Sequence, residues 1–162
     1  DHAAMWNSKL KYIRLDREPV INPINEEHKD ISAEAFKRGF LVYGKNPEKV
    51  VITTGNMVHK FIPPENLCPA KVIEVFRLPC DPLALFNEVG NAEDVFVVSE
   101  DSDSGGFTNI MLDYLYGING KIHTHGVTTK DEGYTYIYGG RNEIHKHYGL
   151  DKESLQQWLN TD

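Results

Sequence analysis

Three short segments rich in β-branched residues constrain the fold more than any other feature of this sequence. They are residues 50–53 (VVIT), 71–78 (KVIEVFRL) and 95–99 (VFVVS). The segments 50–53 and 95–99 are almost continuously apolar, which is typical of strands that are buried on both faces, as in parallel sheets. Segments with helical patterns lie between them, and parallel strands joined through helices carry those helices on both faces of the sheet. The sequence therefore predicts an α/β fold built in layers.

The remaining segments extend this alternating pattern. Additional strands are predicted over residues 10–15, 39–43 and 121–127. Helices are predicted over residues 55–61, 82–89, 107–116, 143–148 and 152–159. Asp81 and Asp151 are the expected N-caps of two of these helices, because their carboxylates can accept a hydrogen bond from the first turn. Residues 22–30 are polar, contain Pro23 and are predicted to form a loop.

Length and charge exclude several classes of partner. The chain has 162 residues, enough for one domain with a sizeable core, and a formal net charge of −7. An acidic chain with scattered Lys and Arg lacks the electrostatic footprint for nucleic acid or anionic membranes, and no apolar run has the length of a membrane span. Cys68 and Cys80 lie in no metal or redox spacing, so we expect free, buried thiols in a reducing cytosol.

An ordered set of short motifs resembles one known domain. The motifs are the Arg14-Leu15-Asp16-Arg17 segment, residues 50–55 (VVITTG), residues 72–75 (VIEV) with 78–81 (LPCD), residues 97–100 (VVSE) with Gly105-Gly106, and residues 148–151 (YGLD). Each motif is weak alone, but together and in this order they resemble the C-terminal domain of the transketolase class of thiamine-diphosphate enzymes. That class includes transketolase, deoxyxylulose-phosphate synthase and the 2-oxoacid dehydrogenase β subunit.

The resemblance implies a fold and a domain division. The fold is a three-layer α/β/α domain with a five-stranded mixed, mostly parallel sheet. Residues 1–18 are expected to be the truncated end of a preceding pyrimidine-binding domain, and residues 19–162 the transketolase-like C-terminal domain. The chain is then expected to be a fragment or a split subunit of a larger enzyme.

The resemblance also implies a function, cofactors and partners. The complete enzyme would transfer a two-carbon ketol unit between sugar phosphates, using thiamine diphosphate and Mg²⁺ held by pyrimidine- and pyrophosphate-binding domains that this chain lacks. The chain would support assembly and the active site, bind no cofactor, and be inactive alone. A cytoplasmic homodimer is expected. Two alternatives stay open: the same domain of a 2-oxoacid dehydrogenase β subunit, or a stand-alone interaction module.

Arg17 is the candidate site residue. By the resemblance it matches the arginine that contacts the phosphate of sugar-phosphate substrates. The chemistry suits arginine, because its planar, always charged fork of donors matches phosphate oxygens. The alternative is a surface ion pair with Asp16 or Glu18, which contributes little. No residue of the chain is assigned a catalytic, cofactor-binding or metal-binding role.

Several other groups have structural rather than functional interpretations. His123 and His125 are two apart on a strand and therefore share a face, whereas His145 and His147 on a helix do not. We interpret all four as structural or interfacial rather than as metal ligands. The glycine pairs are interpreted as close backbone packing at Gly105-Gly106 and as a turn at Gly139-Gly140. Tyr134, Tyr136 and Tyr138 alternate in a loop that forms either an interface or a hairpin edge.

Overall fold

A five-stranded mixed sheet forms the centre of the computed structural model, which describes residues 12–13, 32–62, 70–103, 105–128 and 139–160. The strands are β1 (Phe40–Tyr43), β2 (Lys49–Thr53), β3 (Lys71–Val75), β4 (Asp94–Ser102) and β5 (Lys121–Val127). The helices are α1 (Ala33–Arg38), α2 (Val58–Phe61), α3 (Pro82–Val89), α4 (Gly106–Tyr114), α5 (Arg141–His147) and α6 (Lys152–Leu159), with a 3₁₀ turn at Gly55–Met57 before α2.

The strand order is β1-β3-β2-β4-β5. β1 pairs with β3 in antiparallel orientation, and the pairs β3-β2, β2-β4 and β4-β5 are all parallel. This confirms the expected α/β fold with a five-stranded, mostly parallel mixed sheet.

Helices cover both faces of the sheet and complete three layers. Residues of α3 and α4 pack with Val50, Ile52 and Val97 in one core. Residues of α2 and α6 pack with Val51 and Phe96 in a second core on the opposite face. The central strands are thus apolar on both sides because both sides are buried, which confirms the interpretation of residues 50–53 and 95–99 as buried strands.

The two helix N-caps predicted from the sequence, Asp81 and Asp151, are also confirmed. Asp81 accepts a hydrogen bond from the Ala84 amide at 3.0 Å, and Pro82 opens α3. Asp151 accepts hydrogen bonds from the Ser154 amide at 3.0 Å and the Ser154 hydroxyl at 2.7 Å. These bonds, the hydroxyl bond foremost, lower the pKa of Asp151.

Three features differ from the sequence prediction. Helix α1 was missed, although Ser32 caps it by accepting a hydrogen bond from the Ala35 amide at 3.1 Å. β3 ends at Val75 and not at residue 78, because the chain turns there and the Phe76 amide donates to the Gly39 carbonyl at 3.1 Å. The predicted strand 10–15 is described only at Tyr12 and Ile13, which are exposed and lie in no strand.

Candidate functional site

A bulge near the carboxyl end of β4 sets the geometry of the candidate site. Val98 pairs with His125 and Ser102 with Val127, so three residues of β4, numbers 99–101, oppose the single residue Gly126 of β5. Bulges of this kind bend a strand and redirect its side chains, and they are frequent beside functional sites. A Cβ on Gly126 would lie 2.7 Å from the Asp101 carbonyl oxygen. The bulge therefore requires glycine at this position of β5.

Glu100, the middle residue of the bulge, ties β4 to helix α5. Its Oε2 accepts hydrogen bonds from Arg141 Nε at 3.0 Å and from His145 Nε2 at 3.3 Å. The His145 side chain is only 3% exposed, whereas about a quarter of the Glu100 and Arg141 side chains is exposed. A carboxylate that accepts from two nitrogens is a strong, charge-assisted link between elements that are 45 residues apart in sequence.

The two ring nitrogens of His145 differ in their hydrogen bonding. Nε2 donates to Glu100, while the buried Nδ1 has no hydrogen-bond partner within the described ranges. His147, two residues later, is exposed. The prediction that these two histidines lie on different faces of their helix is confirmed, and the buried one serves to anchor α5.

His123 and His125 lie on one face of β5, as predicted. Both rings contact Trp158 of α6, at centroid distances of 6.3 Å and 5.2 Å. His123 Nε2 donates to Asp94 Oδ1 at 2.8 Å, and His125 Nε2 donates to the Gly149 carbonyl at 3.2 Å. Among the described residues no three His, Cys, Asp or Glu side chains are grouped so that they could hold a metal ion. The ring contacts and hydrogen bonds place both histidines in the packing of β5 against α6.

A cavity of about 440 Å³ opens between the carboxyl end of β5 and the end of α5. Gly126 of the bulge forms part of its wall. Six of the seven lining residues carry a side chain that can hydrogen-bond, namely Asp103, Thr124, His125, Thr128, His147 and Tyr148. Sequence inspection missed this cavity, since its walls come from segments that no local pattern brings together.

A second polar pair lies at the opposite side of the sheet, between β1 and β3. The Tyr43 hydroxyl donates to Glu74 Oε2 at 2.7 Å. Burial raises the pKa of Glu74, against a smaller lowering by the Tyr43 hydrogen bond. Burial, and then the charge of Glu74, also raise the pKa of Tyr43. The two groups therefore favour a state in which Tyr43 keeps its proton.

The Glu74→Gln variant is expected to be more stable than the parent protein at neutral pH and no more stable in acid. The raised pKa means that the folded state holds the Glu74 proton more tightly than the unfolded state does. Protonated Glu74 therefore stabilises the folded protein. This contribution to the free energy of unfolding is complete below the pKa that Glu74 has in the unfolded chain, and it is lost as the pH rises through the pKa of Glu74 in the folded protein. Urea unfolding of both proteins across this range is the measurement. Parallel pH profiles would show that burial does not penalise the Glu74 charge.

Comparison with known proteins shows which proteins this chain is similar to in sequence and in fold. No protein-family model matches the sequence. The chain is 25% identical over 152 residues to a subunit of apulose-4-phosphate transketolase from Actinobacillus succinogenes, a match that covers 89% of this chain and 46% of that protein. The fold of the present chain is similar to that of a split-gene transketolase solved as an inactive beta4 tetramer, with a TM-score of 0.67 and 17% sequence identity. That match covers 88% of the present chain and 46% of the other. In sequence and in fold, this chain is similar to a transketolase C-terminal-type domain. It spans about half the length of the curated relative that it matches.

The glycine pairs of this transketolase-type domain do not serve the roles that the sequence indicated. At Gly105 and Gly106 an added Cβ would meet no atom within 4 Å, so the prediction of close backbone packing is wrong. Glycine is favoured there because φ is 98° and 53°. Gly140 is the N-cap of α5 rather than part of a turn, and its amide donates to the Glu143 carboxylate at 2.6 Å.

Several residues of the sequence prediction lie outside the described ranges of the transketolase-type domain. These are Arg17, Cys68 and the three tyrosines 134, 136 and 138. Cys80 is described: it is a free thiol, 3% exposed, and burial raises its pKa. Its buried, free state agrees with the prediction for that cysteine.

The helix around residues 111–116 is, from its sequence, a candidate surface for self-association, and the structure exposes only part of it. Met111 is fully buried in the core and cannot contribute to a contact surface. Leu112 and Tyr116 of the same segment are exposed, at 37% and 89%, and so is Leu83 of α3, at 69%. No helix in the described part of the chain has the length and apolar character needed to cross a bilayer.

Proposed function

We propose that this chain is the C-terminal part of an enzyme that transfers a two-carbon ketol unit between sugar phosphates. The observation that carries the proposal is the similarity to the apulose-4-phosphate transketolase, which extends over 89% of the chain. The ordered motifs from Arg17 to Asp151 and the mixed five-stranded sheet support the same assignment. The enzyme is proposed to act in the cytosol, in keeping with the free thiol of Cys80.

In this proposal the domain supports assembly and the active site, and the cofactor binds elsewhere in the complete enzyme. The described residues do not suit thiamine diphosphate with Mg²⁺, because no three of their His, Cys, Asp or Glu side chains are grouped as metal ligands. Bound to domains outside this chain, thiamine diphosphate would supply the nucleophile for the transfer.

Self-association is the expected means of assembly. The similar split-gene transketolase was solved as a beta4 tetramer, and closed oligomers of identical chains use apolar, self-complementary surfaces. Leu83 and Tyr116 are the described candidates for such a surface. Sedimentation of the complete protein is expected to show at least a dimer, and Leu83→Asp with Tyr116→Asp is expected to weaken it. Exposed Glu48→Ala is the control. A monomer at every concentration would contradict this role.

Arg17 is proposed to hold the phosphate of the substrate. Arg17→Ala in the complete enzyme is expected to raise the Michaelis constant for a phosphorylated substrate roughly tenfold or more, because a charge-assisted hydrogen bond contributes about 1.5–3 kcal/mol. The constant for an unphosphorylated analogue should hardly change. Arg17→Lys should recover only part of the loss, since a point charge cannot replace the planar fork. Equal losses on both substrates would instead support an ion pair of Arg17 with Asp16 or Glu18.

The proposed reaction is tested in the complete protein, purified with any subunit that accompanies it. Turnover of a ketose phosphate is expected to require an aldose acceptor, thiamine diphosphate and Mg²⁺, and to stop when chelation removes the metal. Turnover of a 2-oxoacid without an aldose would favour the dehydrogenase alternative. Absence of any turnover by a cofactor-loaded assembly would favour a stand-alone interaction module.

A further inference from the structure

The first turn of α4 lies at the part of the sheet where α/β proteins bind ligands. The connection that leaves β2 runs to β3 on one side, whereas the connection that leaves β4 runs to β5 on the other. The helices of these two connections pack on opposite faces of the sheet. Ligands of open α/β sheets bind in the crevice that this divergence leaves outside the carboxyl ends of the two strands. Helix α4 begins at this edge, shortly after β4 ends.

The start of α4 offers hydrogen-bond donors that have no acceptor. The first amides of a helix find no partner within the helix, and for Gly106, Phe107 and Thr108 none is found elsewhere in the described part of the chain. The helix has nine residues, and its dipole places partial positive charge on this turn. The approach is open, because a Cβ added at Gly105 or Gly106 would meet none of the described atoms within 4 Å.

Two buried hydroxyl groups beside this turn also lack a partner. Thr108 is 1% exposed, Ser99 is fully buried, and neither hydroxyl has a hydrogen bond to any described residue. The Cα–Cβ bonds of a helix tilt toward its N-terminus, so the Thr108 side chain is aimed at the opening of the first turn. Ser99 follows Val98, which belongs to the opposite core, and by the alternation of a strand it lies on the face that α4 covers. A ligand oxygen at this point would satisfy groups that otherwise destabilise the fold.

The carboxylates that precede α4 lie mostly on the far side of β4. Glu100, Asp101 and Asp103 come just before the helix, and negative charge at its N-terminus would compete with an anionic ligand. The Glu100 carboxylate accepts hydrogen bonds from Arg141 and His145 of α5. Asp103 lines the cavity at the end of β5. Two of the three acidic residues are therefore placed on the β5 side of the strand, away from the first turn of α4.

We propose that the first turn of α4 binds the phosphate group of a small molecule, through the three amides of that turn and the hydroxyls of Ser99 and Thr108. Phosphate oxygens accept hydrogen bonds and carry the negative charge that a helix N-terminus favours, whereas a cation would face donors only. The glycine pair before the helix lets a ligand approach the backbone closely. The site lies on this domain itself and does not depend on whether the complete enzyme transfers ketol units.

The test is an NMR titration of the complete protein with inorganic phosphate and with glycerol 3-phosphate, at an ionic strength held constant with chloride. The amide signals of Gly106 and Phe107 are expected to shift and to saturate, because the ligand accepts hydrogen bonds from these groups. The two probes distinguish the source of the phosphate group. Saturation at a lower concentration of the ester identifies a phosphorylated metabolite as the ligand, and saturation by the ion alone identifies free phosphate.

Thr108→Val and Ser99→Ala each remove one hydroxyl from the site. Each variant is expected to raise the dissociation constant for phosphate about tenfold, the effect of losing one hydrogen bond to a charged group. Without phosphate, neither variant should unfold at a lower urea concentration than the parent, because the lost hydroxyl has no described partner. A purely structural role would instead lower the stability and leave the affinity unchanged.

Thr124→Val is the matched control, because Thr124 is an exposed threonine of β5 and its hydroxyl takes no part in the proposed site. It should leave the affinity for phosphate unchanged. The proposal is overturned if neither phosphate compound shifts the α4 amide signals more than chloride does. It is also overturned if Thr108→Val and Ser99→Ala bind phosphate as tightly as the parent protein.

Discussion

Replacing Glu100 with alanine is expected to lower the free energy of unfolding by about 3 kcal/mol, because it breaks a largely buried ion pair. The Glu100 carboxylate accepts from Arg141 Nε at 3.0 Å and from His145 Nε2 at 3.3 Å. Alanine would leave His145, which is 3% exposed, with no described hydrogen-bond partner for either ring nitrogen. Arg141 is partly exposed, so water can replace part of the interaction that it loses with the Glu100 carboxylate. We therefore place the effect at the lower end of the range for buried ion pairs.

Equilibrium unfolding in urea measures this effect. Glu100→Gln should cost less than the alanine variant, since it keeps one oxygen acceptor while removing the charge. Glu48→Ala is the control, because Glu48 is an exposed glutamate and its loss should change stability by no more than about 0.5 kcal/mol. If Glu100→Ala and Glu48→Ala have the same free energy of unfolding, the link between β4 and α5 contributes nothing to stability.

Gly126→Ala is expected to destabilise the domain by about 2–3 kcal/mol, the upper range for overpacking a buried position. The new methyl group would lie 2.7 Å from the Asp101 carbonyl oxygen and 3.1 Å from the Asp103 amide nitrogen. Both are backbone atoms, one in the bulge and one just after β4, and they cannot rotate away as a side chain could. The bulge would have to open, and Glu100 would move away from α5 with it.

Gly140→Ala is the control variant for the destabilisation expected from Gly126→Ala. At Gly140 φ is −70° and the nearest atom to an added Cβ is the Glu143 carboxylate at 3.9 Å, so the methyl group has room. Its cost should not exceed about 1 kcal/mol, the loss of a favourable N-cap residue. Calorimetric unfolding of both variants is the measurement. Equal losses at the two positions would contradict the steric account of Gly126.

Local sequence signals were sufficient to predict much of this fold. The apolar runs in β2 and β4 were recognisable because strands covered on both faces must be apolar at every position. The Asp-Pro pair at Asp81 marked the start of α3, and Asp151 marked that of α6, because both caps act within one turn of chain. Helix α1 was missed because six residues are too few to show a helical period.

The candidate site could not be predicted in the same way. The bulge at residues 99–101 depends on the register between β4 and β5, which are joined through a helix. Glu100 and His145 are 45 residues apart and meet only when α5 packs against the sheet. The cavity likewise joins the end of β5 to the end of α5. The role of Arg17 came from resemblance alone, and it stays a prediction.

Tracing labelled carbon through the reaction tests the central claim most directly. The complete enzyme is given a ketose phosphate with heavy carbon at its first two positions, an unlabelled aldose phosphate, thiamine diphosphate and Mg²⁺. Mass spectrometry is expected to find both labelled carbons, still bonded to each other, in a new ketose phosphate built on the acceptor. This product should be absent when the cofactor is omitted. Failure of the intact pair to appear on the acceptor in a cofactor-loaded enzyme, or turnover of a 2-oxoacid in its place, would contradict ketol transfer.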